Sequence, residues 1–170
     1  QEEYERDFDN NWKDNIYYAD FPIVQKNIVE CIKTLKSTIE NVRVLGPVRP
    51  YTQVEISKTD AYKLGLNPPV RNSGDVLNSA SVTLIGPIGS VELLEGCIIA
   101  ARHIHLTYED IKNYNLEGIE TVSVKLDGIK GGIIDNVYIK PSVEAYFELH
   151  LDTDDANAHL IKNGDIGEII

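Results

Sequence analysis

The chain has 170 residues, 42% of them apolar and 25% charged, with a net charge of -11. That length holds one large domain or two small ones with real cores, and the composition excludes disorder throughout. The negative charge argues against nucleic acid and against anionic membranes as partners, because both are polyanions.

No apolar run reaches the roughly 18 residues that a membrane-spanning helix needs. Cys31 and Cys97 lie far apart and have no CxxC spacing. They read as reduced, structural thiols in an intracellular protein. The chain contains no methionine at all, which favours a segment being missing from this sequence.

Residues 1–20 are acidic and aromatic, with Tyr4, Phe8, Trp12, Tyr17 and Tyr18 and no clean period. A loosely ordered arm and a helix docked on a partner both fit. Residues 23–35 read as a short amphipathic helix, because Val24, Ile28, Cys31, Ile32 and Leu35 recur at three- and four-residue spacings behind Pro22. Such a stripe packs on the body of the protein or serves as a targeting helix, with packing favoured.

From Ser37 the texture becomes strand-like. Ile39, Val42, Val44 and Val48 alternate with polar residues until Gly46-Pro47. Thr52–Ser57 alternates with period two, and Thr59–Leu64 is a short helix closed by Gly65. Arg71–Asp75 is a polar loop. Ser81–Ile85 and Ser90–Leu94 flank Gly86-Pro87-Ile88-Gly89 as a hairpin. That turn is no phosphate loop, since it lacks the Gly-Lys-Ser/Thr ending and a following helix.

The run Ile98–Ala101 leads into Arg102-His103-Ile104-His105. Residues i and i+2 of a strand share a face, so His103 and His105 project together. Thr107 is a helix N-cap, with the helix ending near Tyr114. Thr121–Leu126 and Gly132–Ile139 are strands around an Asp127-Gly128 turn. Tyr146–Leu151 is a strand that carries a third histidine, His150. Asp152 or Thr153 caps a helix through Leu160, and Ile166–Ile170 is a last strand.

Asp152, Asp154 and Asp155 fail the calcium-loop pattern, and acidic residues at a helix N-terminus account for them. Ser37–Gly46 weakly echoes Ser90–Ile99. The whole pattern predicts a mainly β fold of β-barrels with short helices.

Three imidazoles, His103, His105 and His150, would make three legs of a zinc site with an open position. The competing reading is that each is a hydrogen-bonded, half-buried strand residue. Arg49 follows a strand end and can present a fork to an oxyanion, and Glu55 alternates with Val54 and Ile56. A surface ion pair is the plain reading of each.

Several strings in order resemble the PduL-type phosphate acyltransferases (phosphate propanoyltransferases). They are Glu40–Arg49 (ENVRVLGPVR), Thr52–Ser57 (TQVEIS), Pro69–Asp75 (PVRNSGD), Ala100–Leu106 (AARHIHL) and Leu149–Asn157 (LHLDTDDAN). The resemblance runs from about Ile39 to Ile170. It implies two small β-barrel domains capped by short helices, one inserted into the other. The corresponding division of this chain is an arm and helix at 1–36, an inserted barrel at 37–100 and a second barrel at 101–170.

The resemblance also implies a two-zinc site and transfer of a propanoyl or acetyl group between coenzyme A and phosphate. The route implied is direct attack of zinc-bound phosphate on the thioester. His103, His105 and His150 then match the ligands of one zinc, and Glu55 a carboxylate ligand of the other. Arg49 matches the arginine that holds phosphate, Ser73 a loop hydroxyl near the site, and Arg102 a supporting residue.

Acyl-CoA and phosphate are the implied partners. The setting is cytoplasmic or inside a bacterial microcompartment among its shell or lumen proteins, and a homodimer would suit the family.

One departure stands out. The family carries an earlier His-x-His strand, whereas His103, His105, His150 and His159 are the only histidines here. Three histidines therefore support one zinc, and one carboxylate cannot hold another alone. Either a segment is missing from this sequence, or the protein is a shortened relative that keeps a structural zinc as a scaffold. An unrelated zinc hydrolase is the third reading.

Overall fold

The computed structural model describes residues 31–44, 50–143 and 145–170. Eleven strands and three short helices follow in order: β1 Cys31–Lys33, β2 Thr38–Glu40, β3 Val54–Glu55, α1 Lys58–Leu64, β4 Val70–Arg71, β5 Ala80–Gly86, β6 Gly89–Ala100, β7 His103–Leu106, α2 Tyr108–Asn113, β8 Thr121–Leu126, β9 Gly132–Pro141, β10 Glu148–His150, α3 Thr153–His159 and β11 Gly167–Ile169. The strands form two curled half-barrel sheets, the mainly β, two-barrel architecture that the short-strand pattern predicts. Among the described residues no helix is long and apolar enough to cross a membrane.

The first sheet runs β2-β1-β5-β6-β3, with β4 also on β6. Its centre is β6, whose first half is a largely exposed hairpin arm and whose second half, Cys97–Ile99, is buried. That buried half takes two parallel partners in succession, Val54 and Glu55 against Cys97 and Ile98, then Val70 and Arg71 against Ile99 and Ala100. Gly96 makes the approach of the first partner possible. It has φ +132, and a Cβ there would lie 2.9 Å from the Thr52 carbonyl oxygen, so a side chain would push β3 away. Ile32, Ile39, Val54, Leu64, Val82 and Leu84 fill the core behind this sheet.

The predicted helix over 23–35 is overturned where the structure describes it; residues 23–30 lie outside the described residues. Cys31–Lys33 is a strand paired antiparallel with both β2 and β5, with Ile32 between Ile39 and Leu84. Ile32 is fully buried while Leu35 is fully exposed. The three-residue spacing of Ile32 and Leu35 mimicked a helical stripe. The β-branched Ile32, flanked by less buried neighbours on each side, instead fits a pleated surface. Of the predicted strand Thr52–Ser57, Val54–Glu55 forms the ladder, and the Ile56 N–H donates to the Ile98 carbonyl oxygen at 3.1 Å just beyond it.

The second sheet runs β10-β7-β9-β8-β11. Ile104 and Leu106 alternate with the two histidines of β7 and point into a core with Val124, Leu126, Ile134 and Val137. Each fully buried Leu or Ile here contributes about 1.5–3 kcal/mol relative to exposure.

Two of the three helices have the caps that the sequence marks, Thr107 and Asp152, while the first starts at Lys58, one residue before the expected Thr59, on a Ser57 cap. Ser57 and Asp152 accept from the backbone N–H three residues on, and Thr107 forms a capping box with Asp110. Gly65 closes α1 at φ +71, the left-handed conformation a helix stop uses.

Leu106 is completely buried directly beside His105. Leu106→Ala is expected to lower unfolding free energy by about 3 kcal/mol, read as a drop in the urea midpoint with an unchanged slope.

Candidate metal centre

The register of the second sheet assembles the histidines. On β10, His150 lies opposite His103, and Glu148 opposite His105. Directly paired residues share a face, so the three imidazoles stand on the side away from Ile104 and Leu106. On the other flank, parallel β9 places Tyr138 beside His103 and Lys140 beside His105. The candidate ligand nitrogens of His103, His105 and His150 all lie within 4.8 Å of one another. Their ring centroids are 4.6–5.0 Å apart.

This donor set fits a metal ion. His103 Nδ1 donates to the Ala101 carbonyl oxygen at 2.9 Å, which fixes the ring and turns Nε2 toward the other imidazoles. That backbone bond is the usual way a ligating histidine is oriented. The Nε2 atoms of His103 and His105 are 3.1 Å apart. Two Zn–N bonds of 2.0–2.1 Å at a tetrahedral angle require about 3.3 Å.

Burial pushes the His103 imidazolium pKa down to about 4, with the nearby Lys140, His150 and His105 lowering it further and the Ala101 bond opposing. His105 is lowered too, first by burial, then by His150 and Lys140. Neutral imidazoles are the form that binds metal. Three histidine nitrogens on one tetrahedral metal ion would leave a fourth position for another ligand. His159, the fourth histidine, faces the Lys130 carbonyl oxygen instead.

Arg102 does not reach into this face. Its guanidinium pairs with Asp155 at 2.9 Å and also donates to the Asp135 carbonyl oxygen at 3.3 Å. Asp155 is in the first turn of α3, which begins three residues after His150 and is capped by Asp152. Asp154 on the same turn accepts from the Thr59 backbone N–H at 2.8 Å. The acidic run read as a helix start is thus also what ties α3 to both Arg102 and α1, and so steadies the end of the His150 strand.

Glu55 and Ser73 are brought together through a residue that the sequence reading passed over. Gln53, completely buried, donates to Glu55 Oε1 at 2.6 Å and to Ser73 Oγ at 2.9 Å. Its own oxygen accepts from the Gly74 N–H at 2.7 Å. The signal was present, since Gln53 shares the period-two face of Glu55 in Thr52–Ser57. The same pairing brings their loop toward the histidine strand, because the Ala101 N–H donates to the Arg71 carbonyl oxygen at 2.8 Å. Arg49 lies outside the described residues.

Residues 21–162 match the family described as phosphate propanoyltransferase. The phosphate propanoyltransferase of Thermotoga maritima is 46% identical over 136 residues, which is 79% of this chain and 65% of that protein. Those of Lachnoclostridium phytofermentans and Priestia megaterium are 46% and 48% identical over 132 residues. That alignment covers 78% of this chain and 62% and 61% of those proteins. The chain therefore spans somewhat less than two thirds of the length of these curated relatives.

Because the folded chain keeps His103 neutral to about pH 4, unfolding takes up a proton between about pH 6.5 and 4. Its contribution is intact above that window and is lost as pH falls through it. Metal-free wild type is expected to lose about 1–3 kcal/mol relative to His103→Asn between about pH 7 and 4.5, measured by urea melts of both proteins.

Proposed function

The chain belongs to the phosphate propanoyltransferase family, and from that membership and its histidine face we propose that it transfers a short acyl group, propanoyl or acetyl, between coenzyme A and inorganic phosphate. The observation that carries the reading is the convergence of His103, His105 and His150 on one point. It occurs in a chain that matches the family over residues 21–162.

In this reading the three histidines hold a zinc ion, and Glu55 contributes a carboxylate to a second. Bound zinc supplies Lewis-acid stabilisation of developing negative charge and reduces the repulsion between anionic reactants. Arg49 offers a planar fork of donors for phosphate. Ser73, held by Gln53, is a loop hydroxyl beside the reactants.

A phosphate oxygen bonds to the thioester carbonyl carbon, the C–S bond breaks, and coenzyme A leaves as its thiolate. No acyl-enzyme is required. Burial pushes the Cys97 thiol up to about 12, which removes its nucleophilic thiolate at neutral pH. Among the described residues Cys31 and Cys97 are not joined in a disulfide, in keeping with a proposed cytoplasmic setting. A bacterial microcompartment is the narrower setting the family implies.

Phosphate-dependent release of coenzyme A thiol from propanoyl-CoA by the full-length protein tests this. Thiol release with phosphate, and none without it, is expected. Release without phosphate would indicate a hydrolase, and zinc retention with no turnover would indicate a scaffold. His150→Ala is expected to lower the rate by about a hundredfold or more, with a matching loss of bound zinc measured by metal analysis. Acyl label left on protein quenched after acyl-CoA alone would replace direct attack with a covalent route.

A further inference from the structure

Among the described residues, Gln53 is the one completely exposure-free polar side chain, and its position in β3's approach to β6 is not explained by packing alone. All of its strong donors are used, each on a different element. The Gly74 N–H can only donate, so the atom facing it must be the amide oxygen. The amide nitrogen then points the other way. There its two protons meet the carboxylate of Glu55 and the hydroxyl of Ser73. The orientation of the amide is thus dictated by its partners and not by a choice between look-alike atoms.

A loop anchor alone would need only the bond to Gly74. The other two bonds bind together two side chains that start 18 positions apart, 55 and 73, one on a strand and one in the loop after β4. Burial makes each bond worth more than its surface counterpart, and makes loss of the hub costly for all three partners at once.

We propose that Gln53 is a positioning residue, whose single buried amide sets the Glu55 carboxylate and the Ser73 hydroxyl in fixed relation to each other for acyl transfer. The proposal rests on the acyltransferase reading for its consequence, though not for its geometry. Gln53 touches no reactant; it acts through Glu55 and Ser73. A small error in either side chain is enough to slow chemistry severely while leaving substrate binding nearly intact.

The test uses the full-length, metal-loaded protein and Gln53→Met, which keeps the length of the side chain and removes all three bonds. Expected is a fall in kcat of about tenfold or more, with KM for phosphate and propanoyl-CoA within about threefold. Ser73→Ala combined with Gln53→Met should lose little beyond the worse single variant, by about threefold at most, since both act on one unit. Independent, multiplying losses would overturn the proposal, as would an unchanged kcat.

A second readout needs neither turnover nor a variant at position 53. In 15N-labelled protein, Ser73→Ala and Glu55→Gln should each shift the Gln53 side-chain NH2 resonances, which should exchange slowly with water. If neither substitution moves them, the hub does not exist. If wild type turns over no propanoyl-CoA, the acyltransferase reading fails, and the resonance shifts still decide whether the amide joins the two side chains.

Discussion

The antiparallel pairing that sets His150 opposite His103 is the constraint on which the rest of the site depends. Side chains alternate along a strand, so a slip of one residue would turn His150 toward the core and bring Leu149 or Leu151 to the open face. The apolar partners on the other side hold the register. Ile104 and Leu106 are buried, and Leu149 packs partly against the same core. The energy that fixes the imidazoles therefore comes mostly from residues that never approach a metal. This division lets the polar face stay strained in its electrostatics, with three imidazoles and Lys140 crowded together, while the fold stays ordinary behind it.

The short link Ala101-Arg102 is the second organising feature. It joins the central strand of the first sheet to the histidine strand of the second. Ala101 bonds Arg71 through its N–H and His103 through its carbonyl oxygen, while the Arg102 carbonyl oxygen accepts from Tyr138. Every backbone group so engaged is one that water does not need to satisfy. The side chain of Arg102 adds the tie to α3. Histidine geometry, the 71–75 loop and the helix after His150 are in this way all referred to two residues.

Much of this was legible in the sequence, for identifiable reasons. The His-x-His pair in an apolar run reveals a shared face because strand periodicity is local. Thr107, Asp152 and Gly65 reveal helix ends because caps satisfy nearby backbone groups. The β5–β6 hairpin is legible from Gly86-Pro87-Ile88-Gly89. Strand partners are not, since pairing is set by packing between distant segments; a third imidazole leg at His150 could be expected from the residues, but its pairing opposite His103 could not. Cys31–Lys33 was misread because three residues are too few to tell one period from another. Gln53 was overlooked because a glutamine in a strand usually faces water, and only the fold shows the Gly74 and Ser73 groups that compensate its burial.

The 3.1 Å contact between the Nε2 atoms of His103 and His105 has a consequence for how a cation would be admitted. The Ala101 oxygen accepts the proton of His103 Nδ1, so the neutral ring carries no proton on Nε2. A hydrogen bond between the two Nε2 atoms can then form only if His105 is the Nε2–H tautomer. A cation ligated through both Nε2 atoms requires the opposite tautomer of His105, with its proton on Nδ1. The tautomer choice in the pair therefore rests with His105 alone, because the Ala101 bond holds His103 in its ligating form in either case.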